Sequence, residues 1–176
     1  MTEHQRPFGN NAKFNIFLSL ASSYGDKISS LQQCVQLLKD KIKLEIINST
    51  SFYEVESLNN TWSICAVINA FAKLPPKQLY HEIKVIENFM QSLYDKEEIN
   101  NSNKLFELEL LFYEDLVYES NNFNVPNKNI PMKASILVPL LEIAPDLIHP
   151  KLEKSITKLY ELLPNPEQVL LYGTNV

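Results

Sequence analysis

Residues 105–118 read LFELELLFYEDLVY, and the alternation at the start of this run decides how the chain folds. Phe106, Leu108, Leu110 and Phe112 fall on one side and Glu107 and Glu109 on the other, the period of two of a β-strand. One side of that strand is apolar and demands cover, while the other presents two carboxylates two positions apart. Upstream, Pro75 and Pro76 open a segment in which Leu79, Ile83, Ile86, Met90 and Leu93 recur at spacings of 4, 3, 4 and 3. That stripe predicts a helix ending near Tyr94, with its prolines in the first turn, where a missing N–H costs nothing. The charged, amide-rich DKEEINNSNK (95–104) between helix and strand reads as a flexible loop.

Working outward, TWSICAVINAFAK (61–73) and KLEIINSTSFYEVE (43–56) are β-branched and aromatic segments, expected as neighbouring antiparallel strands. Asp26 is positioned as the N-cap of a helix over 27–43, whose stripe is Ile28, Leu31, Val35, Leu38 and Ile42. FNIFLSLA (14–21) is a short apolar run and reads as a buried strand. Beyond an Asn-rich turn at 121–129, ILVPLLEIAPDLIHP (136–150) and KSITKLYELL (154–163) predict two short helices. The order strand, helix, strand, strand, helix, strand is that of an α+β, ferredoxin-like (split βαβ) antiparallel sheet with helices on one face. The other face stays open, and Glu107 and Glu109 lie on it. Residues 1–12 are polar and aperiodic and are expected as a disordered arm, leaving 13–176 as a single domain.

Composition narrows the function. The 176 residues hold three glycines, so neither a GxxxxGK[ST] loop nor a GxGxxG turn can be built. Net charge is −5, and all but Arg6 of the 16 basic residues are lysines, which argues against a nucleic-acid partner. No stretch approaches the length of apolar residues that spans a membrane, the polar N-terminus MTEHQRPFGNNAK lacks the apolar core of a signal peptide, and Cys34 and Cys65 sit in apolar runs without a CxxC. A reducing, cytoplasmic location is expected. His81-Glu82 begins HEIKV rather than HExxH, which removes a zincin reading.

TSFY (50–53), FELELLF (106–112), VPN (125–127) and PLLEIAPDLIHP (139–150), in that order and spacing, resemble the motifs of the 6-hydroxymethyl-7,8-dihydropterin pyrophosphokinases of folate biosynthesis. The resemblance covers about residues 14–163 and implies the fold derived above. It also implies transfer of the β,γ-diphosphate of ATP to the hydroxymethyl group of a reduced pterin, with two Mg²⁺ ions and release of AMP.

Residue by residue, the resemblance makes Glu107 and Glu109 the metal ligands, in place of the family's two aspartates. Glu87, Lys104, Asn127 and Lys133 become the nucleotide contacts, and Leu58 and Trp62 the pterin contacts. Each has a plainer reading: Glu107 and Glu109 as the solvated side of an edge strand, Glu87 as a helix-surface carboxylate, Trp62 as a core or rim anchor. Several changes run against the family pattern. Arginines that clamp ATP are replaced by Ser92, Tyr94, Lys104 and Lys133, and the histidine of VPH by Asn127. A lysine supplies a point charge but not a bidentate fork. The expectation is therefore a divergent member with impaired or lost catalysis. The alternative is a non-catalytic pseudoenzyme acting as a binding module or engaging a protein partner.

Overall fold

The computed structural model describes residues 12–56, 62–94 and 104–173. The expected disordered arm, apart from residue 12, and the expected loop at 95–104, apart from Lys104, lie outside the described residues. In chain order the elements are β1 (Phe14–Ser22), α1 (Lys27–Ile42), β2 (Glu45–Ser49), β3 (Phe52–Glu56), β4 (Trp62–Ala72), α2 (Pro76–Ser92) and β5 (Phe106–Tyr113). They are followed by the small hairpin β6 (Tyr118–Glu119) and β7 (Asn124–Val125), then α3 (Ala134–Ile143). A second hairpin, β8 (Ile148–His149) and β9 (Lys154–Ser155), leads into α4 (Ile156–Glu161) and β10 (Val169–Gly173). The main sheet runs β10-β3-β4-β1-β5, with β2 also paired to β4. Its ladders are antiparallel, and the arrangement is the ferredoxin-like one the sequence predicts.

The segment expected as one strand over 43–56 is split. Thr50 donates its N–H to the carbonyl of Val67, while its own Oγ1, rather than a backbone carbonyl, accepts the N–H of Val67 at 3.0 Å. A side-chain hydroxyl inserted into the ladder displaces the backbone and ends β2 before β3 begins.

The helical stripes pack as their spacing requires. Leu31, Cys34, Val35, Leu38 and Ile42 of α1 and Leu79, Ile83, Ile86 and Met90 of α2 are buried against Ile16, Leu18, Leu20, Ile64, Ile68, Phe106 and Leu108. Asp26 caps α1, with Oδ1 accepting the N–H of Ser29 at 3.1 Å. Leu93, expected in the α2 stripe, is exposed because the helix ends at Ser92.

The opposite face is half covered. Ile136, Leu137 and Leu140 of α3 and Ile156 and Leu159 of α4 close over Phe17, Val67, Leu111 and Phe112. Phe112, expected on the side of Leu108 and Leu110, lies on this face instead, because the register against β1 shifts between Leu110 and Phe112 and the extra residue reverses the alternation. Pro139, within α3, has no N–H to give the carbonyl of Ser135, and that carbonyl instead lies 3.5 Å from the thiol of Cys65 on the sheet below. Burial pushes the Cys65 thiol up to about 12, so it stays protonated and able to donate. Glu167 accepts the N–H of Ser135 at 2.8 Å and so supplies the cap that Lys133, the residue before α3, does not. Glu142 accepts the N–H and hydroxyl of Ser51 and, at 2.7 Å, the hydroxyl of Tyr53, fastening α3 to the start of β3.

His149 is buried, and its Nδ1 accepts the N–H groups of Lys151 and Leu152 at 3.3 and 3.2 Å. Its ring meets Phe112 edge-on. Burial holds its pKa below the ordinary value. The neutral ring is thus the one the fold requires, and its contribution is complete above the unfolded pKa of about 6.5 and lost as pH falls through the lower folded pKa. Thermal unfolding from pH 8 to pH 5 should show a stability loss below pH 6.5 that is reduced in His149→Asn, whose amide oxygen still accepts but does not titrate. His149→Ala should lose about 1–2 kcal/mol at pH 7.5 through its two unanswered N–H groups.

Candidate active site

β5 is the edge strand of the sheet. Its register against β1 pairs Ala21 with Glu107 and Ser19 with Glu109, and β4 continues those rows with Cys65 and Val67. Both glutamates therefore lie on the face that α3 and α4 half cover, in the uncovered half, beside the small side chains of Ser19 and Ala21. Neither forms an ion pair with the described residues. Asn127 Nδ2 donates to Glu109 Oε2 at 3.2 Å. The orientation of Asn127 is set from both sides: its N–H donates to the carbonyl of Leu111 at 2.8 Å, and its Oδ1 accepts the N–H of Asn129 at 2.9 Å.

An edge strand must find partners for its outward N–H groups, and α2 supplies them. Glu87 Oε1 accepts the N–H of Leu108 at 3.1 Å, and Gln91 Oε1 accepts those of Leu105 and Phe106, each at 3.0 Å. Glu87 is buried rather than on the helix surface, and it also meets Lys84 Nζ at 2.8 Å and Lys104 Nζ at 3.5 Å. The visible signal for this tie is a pair of polar residues at i and i+4 beside an apolar stripe (Ile83, Ile86, Met90), too weak for sequence reasoning to take up.

The remaining expected residues are more dispersed. Lys133 precedes α3, near the open half of the face, and makes no ion pair with the described residues. Trp62 begins β4 opposite Glu56, and strand alternation groups it with Ile64 on the α1 side, away from the glutamates. Leu58 lies outside the described residues. Two clefts flank this end of the sheet. One, of about 180 Å³ at the outer edge of β5, is lined by Tyr80, Lys84, Glu109, Leu110, Lys128 and the asparagines 121, 122, 124, 127 and 129. The other, of about 220 Å³, lies between the start of α1, Glu54, Ile64 and Tyr172. The participation of Lys84, Lys128 and the asparagine cluster was not legible in the sequence.

The donor set suits Mg²⁺. Mg²⁺ takes oxygen ligands, retains several waters and is commonly held by one or two carboxylates plus substrate phosphates. Glu107 and Glu109 are two such carboxylates on one face, without a counter-ion among the described residues. Among the described residues no group of three or more His, Cys, Asp and Glu is placed to hold a metal ion, so two carboxylates would rely on water and phosphate oxygens to complete the shell. None of the described helices is long and apolar enough to cross a membrane.

The 7,8-dihydro-6-hydroxymethylpterin-pyrophosphokinase (HPPK) family matches residues 17–145, and the chain belongs to that family. The 2-amino-4-hydroxy-6-hydroxymethyldihydropteridine pyrophosphokinase of Aquifex aeolicus is 26% identical over 142 residues, spanning 80% of this chain and 87% of the relative. The folic acid synthesis protein fol1 of Schizosaccharomyces pombe is 25% identical over 161 residues, 90% of this chain. The chain spans only about a fifth of the length of that relative and of its Dictyostelium discoideum counterpart (21% and 23%). Wild-type HPPK-DHPS of Plasmodium falciparum superposes with a TM-score of 0.66 at 14% identity, over 88% of this chain and 42% of that one, a likeness of fold.

Replacing Glu87 tests the tie that holds β5. Glu87→Ala leaves the buried N–H of Leu108 unanswered and should cost about 2–3 kcal/mol in urea unfolding, with faster amide exchange at Leu108. Glu87→Gln keeps an acceptor and should retain slow exchange there.

Proposed function

We propose that the protein is a pterin pyrophosphokinase that transfers the β,γ-diphosphate of ATP to the hydroxymethyl oxygen of 6-hydroxymethyl-7,8-dihydropterin and releases AMP, at a rate limited by a weak grip on the phosphates. The observation that carries this reading is the pair Glu107 and Glu109, side by side on the half of the sheet face left open, unpaired by any described cation. Glu107 and Glu109 would hold the Mg²⁺ ions, whose chemistry there would be to neutralise charge on the transferring phosphates. Asn127 keeps the Glu109 carboxylate in one orientation. Ser19 and Ala21 keep the floor beside the carboxylates low, so that a phosphate chain can approach them. Strand alternation turns the peptide N–H of Leu110 outward, like that of Leu108, into the cleft where a nucleotide meets the β5 edge. Trp62, at the open end of β4, offers a flat ring to the pterin.

Phosphoryl transfer depends mostly on positioning and electrostatic stabilisation, and lysines orient phosphate oxygens less firmly than arginines. The only arginine, Arg6, lies outside the described residues. That observation favours the second reading, a non-catalytic binder of the same ligands or of a protein partner.

AMP release from ATP and 6-hydroxymethyl-7,8-dihydropterin with Mg²⁺ decides between them. Slow turnover is expected, reduced on the order of 10²-fold in Glu109→Ala with little change in melting temperature, since this half-exposed side chain supports no packing. Nucleotide binding without AMP release by the wild-type protein would establish the non-catalytic reading instead.

A further inference from the structure

We infer that Ser19 is a positioning residue for the divalent cation of the carboxylate pair: its hydroxyl holds a water in the coordination shell of the ion that Glu107 and Glu109 would bind. The inference rests on the proposed reading of those two carboxylates as metal ligands, and brings in a residue from a different strand. Ser19 lies on β1 directly opposite Glu109 and diagonally from Glu107, with Val67 of β4 on its far side. Side chains directly opposite in an antiparallel ladder have Cβ atoms about 4.5–5.5 Å apart, and diagonal ones about 7–8 Å. The register thus sets one hydroxyl at the foot of both carboxylates. Ala21, opposite Glu107, offers no polar atom of its side chain.

The polar groups that border the carboxylates are otherwise spent. Asn127 gives its Nδ2 to Glu109 and its Oδ1 to the N–H of Asn129, and the thiol of Cys65 is directed at the carbonyl of Ser135. Ser19 is half-buried, and its hydroxyl bonds to no other described residue. Phe17 and Val67, beside it on β1 and β4, are buried and apolar, so a water reaches the hydroxyl from the side of the carboxylates. Side-chain length then decides what the hydroxyl does. A glutamate carries its carboxyl on two methylenes and a serine its hydroxyl on one carbon, so the three groups end at different heights above one sheet. An ion held by the carboxylates stands above Ser19 rather than beside it, and a water spans the gap. Mg²⁺ keeps several waters when one or two carboxylates bind it, and a serine hydroxyl accepts a hydrogen bond as readily as it donates one. Partners behind the direct ligands orient a metal's shell, and their loss commonly costs about 10–100-fold in metal affinity.

Binding of Mn²⁺, which favours the same oxygen ligands, tests the assignment when the free ion is followed by electron paramagnetic resonance with a non-hydrolysable methylene analogue of ATP present. Ser19→Ala should weaken Mn²⁺ about tenfold while the melting temperature of the metal-free protein stays unchanged, since the hydroxyl has no described partner to lose. Ser19→Thr keeps the hydroxyl and should bind within about threefold of wild type, whereas Ser19→Val, of the same shape without it, should fall with Ser19→Ala. Unchanged Mn²⁺ affinity in Ser19→Ala beside a large loss in Glu109→Ala would overturn the inference and leave the carboxylate reading intact. Equal losses in the threonine and valine variants would also overturn it, by marking a response to size alone. Absence of Mn²⁺ binding by the wild type would overturn both. Mn²⁺ binding that depends on the Ser19 hydroxyl, without AMP release from the two substrates, would uphold the inference while the pyrophosphokinase reaction failed.

Discussion

The outermost strand of the sheet has N–H groups that point away from it, and the site depends on how they are answered. On β5 the N–H groups of Leu105, Phe106 and Leu108 are taken by Gln91 and Glu87, two side chains one helical turn apart on α2. Without that tie a strand flanked by residues 95–103 would be held along one side only. With it, Glu107 and Glu109 stand at fixed register opposite Ala21 and Ser19. The carboxylate that fixes the strand also fixes the ammonium of Lys84, so strand position and cleft charge share one anchor.

A second constraint shapes the other face of the sheet. α3 and α4 seal its lower half with Phe17, Val67, Leu111 and Phe112, and end where the sheet side chains become small. α3 is anchored at both ends and runs through a proline. Pro139 interrupts the hydrogen-bond ladder, Glu167 caps the start, and Glu142 is spent on Ser51 and Tyr53 rather than on a ligand. The most distinctive stretch of the sequence, PLLEIAPDLIHP, is thus largely structural: Glu142 clamps β3, and His149 closes the turn that follows it.

Glu107 and Glu109 stand two positions apart on one face of β5. Asn127 is turned toward Glu109 and also lines the cleft at the outer edge of β5. No arginine occurs among the described residues, and Lys84 is held between Glu87 and the carbonyl of Leu108. Trp62 lies on the α1 side of β4, on the opposite face of the sheet from Glu107 and Glu109.

What the sequence determined by itself was whatever repeats locally. Alternation over 106–110 placed two carboxylates on one side of a strand, and the stripes of α1 and α2 named most of the buried residues of both helices, though not Cys34 or Glu87, because those periods follow from backbone geometry alone. The order of elements then sufficed for the ferredoxin-like sheet. Tertiary structure decided what depends on residues far apart in the chain. Thr50 splits a strand only because Val67 lies across from it. Glu87 becomes buried only because Leu108, 21 positions on, offers an N–H. Glu142 meets Ser51 across 91 positions. β10 exists only because the free edge of β3 accepts it. No local pattern encodes such pairings, since each is set by which surfaces the packed sheet brings within hydrogen-bonding distance.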